Sequence, residues 1–315
     1  MHPGTFAVFR VLADGAPRDV AGLCAATGLA SVEVRAACED LADLGAPLVA
    51  EGGRYRLADP VEPLDAAAIA ALGGGLAQVE VVPVCESTNT LAMERARAGA
   101  ASGTTIACEI QTAGRGRRGN RWAAPPGASV ALSMVWRFDD LAASLAGLSL
   151  AAGVACAEAL ERLGATGVGV KWPNDLVAAG AKLGGILVEV AGGAVVVGVG
   201  INLRLPAAVR AAQGQPVTDL ASLGTVPGRN ALVAATAGRL AAALARFARE
   251  GFGGFREAWA ARHALHGKRV RVLPAEGVPV EGRALGVGED GALLVETERG
   301  VERFISGEVS LRAAA

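Results

Sequence analysis

The chain has 315 residues, 52% hydrophobic and 19% charged, which excludes a disordered protein and provides enough apolar surface for two or three domains. A formal net charge of −1 supplies no bulk field toward nucleic acid or membrane. Five cysteines (Cys24, Cys38, Cys85, Cys108, Cys156) without CxxC spacing argue against a disulfide framework or a zinc site and for a reducing compartment.

Only three of the 30 basic residues are lysine, namely Lys171, Lys182 and Lys268. The start, MHPGTFAVFRVLADG, lacks the apolar core and cleavage site of a signal peptide. The protein is expected in the cytoplasm, with no membrane partner.

Residues 5–13 have helical apolar spacing. Asp19 is a candidate N-cap for a helix over 20–27 that Gly28 can end, and Ser31 a candidate N-cap for 32–44. Apolar strands at 47–50 and 54–57 flank Gly52-Gly53, a hairpin signal. Two helices joined by a glycine turn and followed by a β wing resemble a winged helix-turn-helix. Pro60 and Pro63 suggest a short extended linker. Beyond it, strand-like runs at 79–84, 104–110, 129–138, 168–172, 184–190 and 194–203 alternate with helical patterns at 89–99, 141–163 and 230–249, the pattern of an α/β or α+β domain. The long uncharged run 141–157 holds Ser144, Gly147, Ser149 and Gly153 and reads as a buried helix, not a membrane span. Short strands at 268–273, 278–287, 292–297 and 301–305, separated by glycine turns, predict a small β-barrel. The expected divisions are 1–62, 63–265 and 266–315.

Gly114-Arg115-Gly116-Arg117-Arg118-Gly119 fits G-x-G-x-x-G. The dinucleotide reading requires a helix to start there, and Pro125-Pro126-Gly127 followed by a strand forbids it. No P-loop motif occurs either. What remains is a loop with Arg115, Arg117, Arg118 and Arg121, and no acid from 110 to 138. Such a loop can grip phosphates with charge-assisted hydrogen bonds, or it can be a solvated basic loop. Lys171-Trp172-Pro173-Asn174-Asp175 collects a cation, an aromatic ring, an amide and a carboxylate at a strand end, where they can serve a ligand or Mg²⁺, or simply build a turn. Lys182-Leu-Gly-Gly-Ile-Leu-Val-Glu189 opens a buried strand whose paired glycines permit close approach by a ligand.

In this order, together with Ser87-Thr88-Asn89, Gln111, Trp122 and Gly198-Val-Gly-Ile-Asn202, these motifs resemble biotin protein ligases, in the long form that also serves as biotin operon repressor. The resemblance implies an α+β fold: a catalytic domain like that of class II aminoacyl-tRNA synthetases and lipoate ligases, an N-terminal winged helix-turn-helix and a C-terminal SH3-like β-barrel. It implies biotin and ATP with Mg²⁺, a biotinyl-5′-AMP intermediate, and transfer to a lysine of a biotin carboxyl carrier protein. Ser87, Thr88, Asn89 and Gln111 would hold biotin, the first three near its ureido ring. Arg115, Gly116 and Arg117 would cover biotin and the phosphates, and Lys182 would lie beside the carboxylate and α-phosphate. With Arg117, Lys182 is the expected catalytic residue. Trp122 would stack on adenine or pack in the core, while Lys171, Asn174 and Asn202 would join the nucleotide site. Arg118 and Arg121 would contact pyrophosphate or solvent. Asn174 and Asp175 would meet Mg²⁺ or the acceptor lysine. A homodimer is compatible with the resemblance. DNA binding is opposed by the candidate recognition helix, which carries Arg35 against Glu33, Glu39, Asp40 and Asp43. A repressor role and a lipoate ligase stand as alternatives.

Overall fold

The computed structural model describes residues 1–73, 78–140, 145–274, 278–305 and 309–313. At the N-terminus, α1 (Thr5–Leu12), β1 (Arg18–Asp19), α2 (Val20–Thr27) and α3 (Ser31–Asp43) precede a hairpin of β2 (Leu48–Glu51) and β3 (Arg54–Leu57), and β1 joins the outer side of β3. Asp19 caps α2 by accepting from the Gly22 amide, and Gly28 ends that helix at φ 74°, a conformation that costs glycine little. The expected cap at Ser31 is displaced by one residue. Ala30 is the N-cap, and because it has no side-chain acceptor the Glu33 carboxylate reaches back to the Ala30 amide at 2.7 Å. Val8, Phe9, Leu23, Val34, Leu41 and Leu57 form the core of this unit, which extends onto Ile110 of the central sheet.

Residues 58–65 contain no helix or strand, yet they are firmly held. The Val61 amide donates to Ala13 O at 2.7 Å. Glu62 accepts from the Asn230 side chain at 2.9 Å, and its carbonyl accepts from Arg229 at 2.8 Å. Arg229 also pairs with Glu109 at 2.8 Å, both side chains 2% exposed, and Glu109 accepts from the Leu64 amide.

The central region continues with α4 (Ala66–Leu72), β4 (Gln78–Cys85), α5 (Thr88–Arg97), β5 (Thr104–Gln111), β6 (Ser129–Trp136), α6 (Leu148–Arg162), β7 (Gly169–Lys171), β8 (Asp175–Ala178), β9 (Ala181–Ala191), β10 (Ala194–Asn202), α7 (Ala207–Ala211), α8 (Arg229–Glu250) and α9 (Arg256–Ala260). The seven strands form one sheet in the order β4-β5-β6-β10-β9-β8-β7. Only β4 and β5 run parallel; the other neighbours are antiparallel. Every residue of β5 and β10 is buried, as expected for central strands covered on both faces. The expected helix over 141–163 begins within 141–144, outside the described residues, and α6 runs from Leu148 with Ala151, Cys156 and Leu160 buried. Among the described residues α8 alone has the length and apolarity of a membrane span, but Leu232, Val233, Leu240, Leu244 and Phe247 bury one side of it in the core.

The last strands, β11 (Arg269–Pro274), β12 (Val280–Val287), β13 (Leu293–Thr297), β14 (Gly300–Phe304) and β15 (Val309–Ala313), make an antiparallel sheet in the order β14-β13-β12-β11-β15. Val270, Val272, Ala284, Leu293 and Val295 share one core with the central region. The α+β class expected from the motifs is therefore the observed one. Periodicity missed α4, α7, α9, β8 and β15, most of which are too short to show a period.

Candidate active site

One cavity of about 430 Å³ opens over β9 and β10. It brings together every residue that the motifs single out: Ser87, Thr88, Asn89, Gln111, Arg115, Gly116, Arg117, Arg118, Arg121, Trp122, Lys171, Asn174, Asp175, Lys182 and Asn202. Residues separated by more than a hundred positions meet because the antiparallel β10–β9–β8 ladder sets the two lysine motifs beside each other, while the parallel β4–β5 pair delivers Ser87 and Gln111 to the same end of the sheet.

The neutral end is built at the start of α5. Ser87 caps this helix, its hydroxyl oxygen accepting from the Asn89 amide at 3.3 Å. The Thr88 amide donates to Gln111 Oε1 at 2.8 Å, so the Gln111 NH2 group is the part left to face a ligand. Asn89 turns toward the sheet instead. Its amide nitrogen donates to Glu189 at 2.9 Å and to Leu187 O at 3.4 Å, and its oxygen accepts from Ser133 at 2.6 Å. This is possible only because Gly198 lies beneath it: a Cβ there would come within 2.0 Å of Asn89 Oδ1.

The cationic end is the arginine loop and the two lysine motifs. The loop is not the start of an α-helix. It is a tight hairpin in which the Gly116 amide donates to Asn120 O at 2.7 Å and the Trp122 amide to Gly114 O at 2.9 Å. Residues Arg117–Gly119 make a single 3₁₀ turn, with Arg118 at φ 57°, a conformation that non-glycine residues adopt mostly where the surroundings impose it. Arg115 pairs with Glu189 at 2.6 Å. Arg117 Nη1 donates to Asn174 Oδ1 at 3.4 Å, and burial, followed by repulsion from Arg118, lowers its pKa against the pull of Asp175. Lys182 Nζ lies 2.7 Å from Asp175 Oδ1. Among the lining residues, Arg115, Arg117, Arg118, Arg121, Lys171 and Lys182 face one carboxylate, Asp175.

Trp122 occupies the floor. Gly200 and Gly185 are direct cross-strand partners, and a Cβ on Gly200 would come within 2.5 Å of the indole Cε2. Gly200, across the ladder from the Lys182 motif, thus makes room for Trp122, whose ring centre lies 5.9 Å from Lys182 Nζ. Its indole Nε1 is buried with no protein partner. Trp172, by contrast, points into the core and donates to Gly291 O at 3.0 Å, tying the lysine motif to the C-terminal sheet. Asn202 is 4% exposed and donates to Thr218 O at 3.0 Å, holding the segment whose Leu205, Val209, Gln213, Gln215 and Val217 form the far wall. Sequence reading missed that wall, because nothing in its spacing connects it to the motifs. It also missed Ser133 and gave Glu189 no part.

The described residues hold no group of three His, Cys, Asp or Glu able to bind an ion; Asp175 is paired with Lys182, and Asn174 is bonded to Arg117 and to Ile186 O at 2.7 Å.

A cavity with neutral hydrogen-bonding groups and clustered cations suits a ligand that is polar and uncharged in one part and anionic in another. The sequence matches the Biotin/lipoate A/B protein ligase family over residues 81–205 and the Biotin protein ligase C terminal domain over 265–312. It is 35% identical to the bifunctional ligase/repressor BirA of Salmonella typhimurium over 311 residues, covering 96% of each chain. It is 38% identical over 231 residues to the biotin–[acetyl-CoA-carboxylase] ligase of Mycobacterium tuberculosis, covering 71% of this chain and 85% of that one. Its fold is similar to that of the Aquifex aeolicus biotin protein ligase solved with biotin and ATP, with a TM-score of 0.65, 26% identity, and coverage of 76% of this chain and all of that one. The chain belongs to the biotin protein ligase family, and it is a ligase.

Proposed function

We propose that this chain condenses biotin with ATP to give biotinyl-5′-AMP and pyrophosphate, and then transfers biotin to one lysine of a biotin carboxyl carrier protein with release of AMP. The observation that carries this reading is the polarity of the cavity. Ser87, Thr88 and Gln111 give it an uncharged hydrogen-bonding end, and Arg117, Arg118, Arg121, Lys171 and Lys182 set five cations against one lining carboxylate, Asp175, at the other; the sixth, Arg115, pairs with Glu189 beside Asn89. A cyclic urea suits the first end; a carboxylate approaching a triphosphate suits the second.

The first step brings two anions together. Lys182 and Arg117 stand where positive charge would offset their repulsion and stabilise charge building on the phosphorus oxygens. Arg118 and Arg121 extend that field toward the leaving pyrophosphate. The Arg115–Arg121 hairpin would cover the mixed anhydride and exclude water. Trp122, Lys171 and Asn202 line the part of the cavity left for the nucleoside. Magnesium would enter on the ATP phosphates as part of the substrate. Once Lys182 has swung to the acyl phosphate, Asp175 is the carboxylate nearest an incoming acceptor amine.

Incubation of the purified protein with MgATP, biotin and a carrier domain is expected to add one biotin to one lysine, read by mass spectrometry. Lipoate in place of biotin should leave the carrier unmodified. A folded protein that modifies none of several carriers, or that prefers lipoate, would overturn the proposal.

The bifunctional name of the Salmonella relative raises a repressor role. In α3, Glu33 is spent on capping Ala30, and Asp40 accepts from the Thr5 hydroxyl at 2.7 Å and from the His2 amide. Glu39, Asp43 and the single basic Arg35 remain exposed. We propose that this surface gives little phosphate affinity, so a gel shift at physiological salt with biotin and ATP present should stay blank.

A further inference from the structure

We infer that Glu189, acting through Asn89 and Ser133, is a positioning residue that fixes the hydrogen-bond polarity of Thr88 and so makes the site select a ligand N–H. This inference rests on the biotin reading above.

The chain of bonds runs away from the cavity and has only one consistent direction. Glu189 reaches both neighbours, with one oxygen 2.6 Å from Arg115 Nη2 and the other 2.9 Å from Asn89 Nδ2. A carboxylate only accepts, and so does the Leu187 carbonyl on the other side of the same amide, so the Asn89 NH2 group must face them. Asn89 Oδ1 is then left to accept, and it takes the one proton of the Ser133 hydroxyl at 2.6 Å. Ser133 also lies 2.8 Å from Thr88 Oγ1. Its proton is already committed, so Thr88 must donate to Ser133. Thr88 lines the cavity, and its Oγ1, with the proton turned inward, can only accept from a ligand.

Ser133 and Asn89 are 0% and 3% exposed, so no water competes for these bonds, and reversing one would reverse or break the rest. The flanking groups have the opposite sense. The Ser87 oxygen accepts from the Asn89 amide, and its own proton meets no acceptor among the described residues. Gln111 presents its NH2 group, since its oxygen accepts from Thr88 N. Two donors beside one acceptor match a carbonyl flanked by N–H, the edge of a cyclic urea. The same carboxylate anchors Arg115, so the loop covering the acid end and the hydroxyl reading the ureido end share one support.

The test compares biotin with the two cyclic carbamates in which one or the other ureido N–H is replaced by a ring oxygen, titrated calorimetrically against wild type, Glu189→Gln and Ser133→Ala. Thermal unfolding checks that each variant is folded. Wild type should prefer biotin to one carbamate by about a hundredfold, because two acceptors would face each other. Ser133→Ala removes the group that takes the Thr88 proton, and Glu189→Gln replaces an obligate acceptor by an amide that can donate to Asn89 Oδ1, so in both Thr88 can turn its proton outward and that ratio should narrow by about tenfold. Ser133→Ala removes no charge and carries the test if Glu189→Gln is unstable. A merely structural role would weaken all ligands equally. An unchanged ratio in the folded variants, or a wild type that binds both carbamates as well as biotin, overturns the inference while leaving the biotin reading intact. A wild type that binds no biotin defeats that reading and this inference with it.

Discussion

Replacing Lys182 by arginine keeps the charge and changes its shape. Lys182 Nζ sits 2.7 Å from Asp175, with side chains only 20% and 14% exposed, and a Cβ built on Gly185 would meet its Cε at 3.5 Å. The ammonium there is a compact, mobile point charge, whereas guanidinium is a wider planar fork. Arginine can keep the ion pair with Asp175, so folding stability should change by less than about 1 kcal/mol. The chemistry should suffer far more. Displacing one preorganised donor from the reacting phosphate costs about 10²–10³ in rate, or about 2.7–4 kcal/mol. Biotin-dependent ATP–pyrophosphate exchange reads this step alone, since no carrier takes part. Lys182→Met is the companion variant. It strands Asp175, and its stability loss should fall between about 1 kcal/mol for an exposed pair and about 3–5 kcal/mol for a buried one. Exchange by Lys182→Arg within about threefold of wild type, a difference under about 1 kcal/mol, would refute the reasoning.

Gly200→Ala places a methyl where Cε2 of Trp122 lies 2.5 Å away. The indole must shift, and ATP affinity measured by calorimetry should fall by about tenfold while biotin affinity changes less. Trp172→Phe leaves Gly291 O without its buried donor, an expected loss of about 1–3 kcal/mol in urea unfolding with activity kept in the folded fraction. His263 is buried against Trp259 with both ring nitrogens unpartnered. Burial first, then the charges of His266 and Lys268, lowers its pKa from 6.5 to about 4. Between those values the unfolded chain binds the extra proton and the folded one does not, so this group contributes stability that is present above pH 6.5 and lost as pH falls to about 4. In His263→Leu, thermal melts across that range should show a flatter acid limb than wild type.

Much of the site was legible because its chemistry needs rare residue types in short runs. The arginine loop, the Lys171 and Lys182 motifs and Ser87-Thr88-Asn89 all line one cavity. The winged unit was legible because Asp19 and Gly28 act locally, as cap and stop. What failed to show in sequence depends on contacts across strands. Ser133 looks like any polar residue in a strand until the β5–β6–β10 ladder sets it behind Thr88. The paired glycines of the Lys182 motif suggested room for a ligand, but the glycines that make room are Gly198 and Gly200 on the neighbouring strand, and the Asn89 side chain and Trp122 fill it. Trp172 stood in a binding motif and serves as a tie to Gly291.

By itself, the sequence determined the α+β class and the polar and cationic side chains that line one cavity, because these follow from periodicity, turn chemistry and charge within a few residues. Only the tertiary structure decided which way those side chains point. Lys182 is held by Asp175, Asn89 turns from the cavity to Glu189, and Thr88 is left with an acceptor to offer. Hydrogen-bond direction is set by the last partner in a buried chain, and that partner lies on another strand, about a hundred residues away.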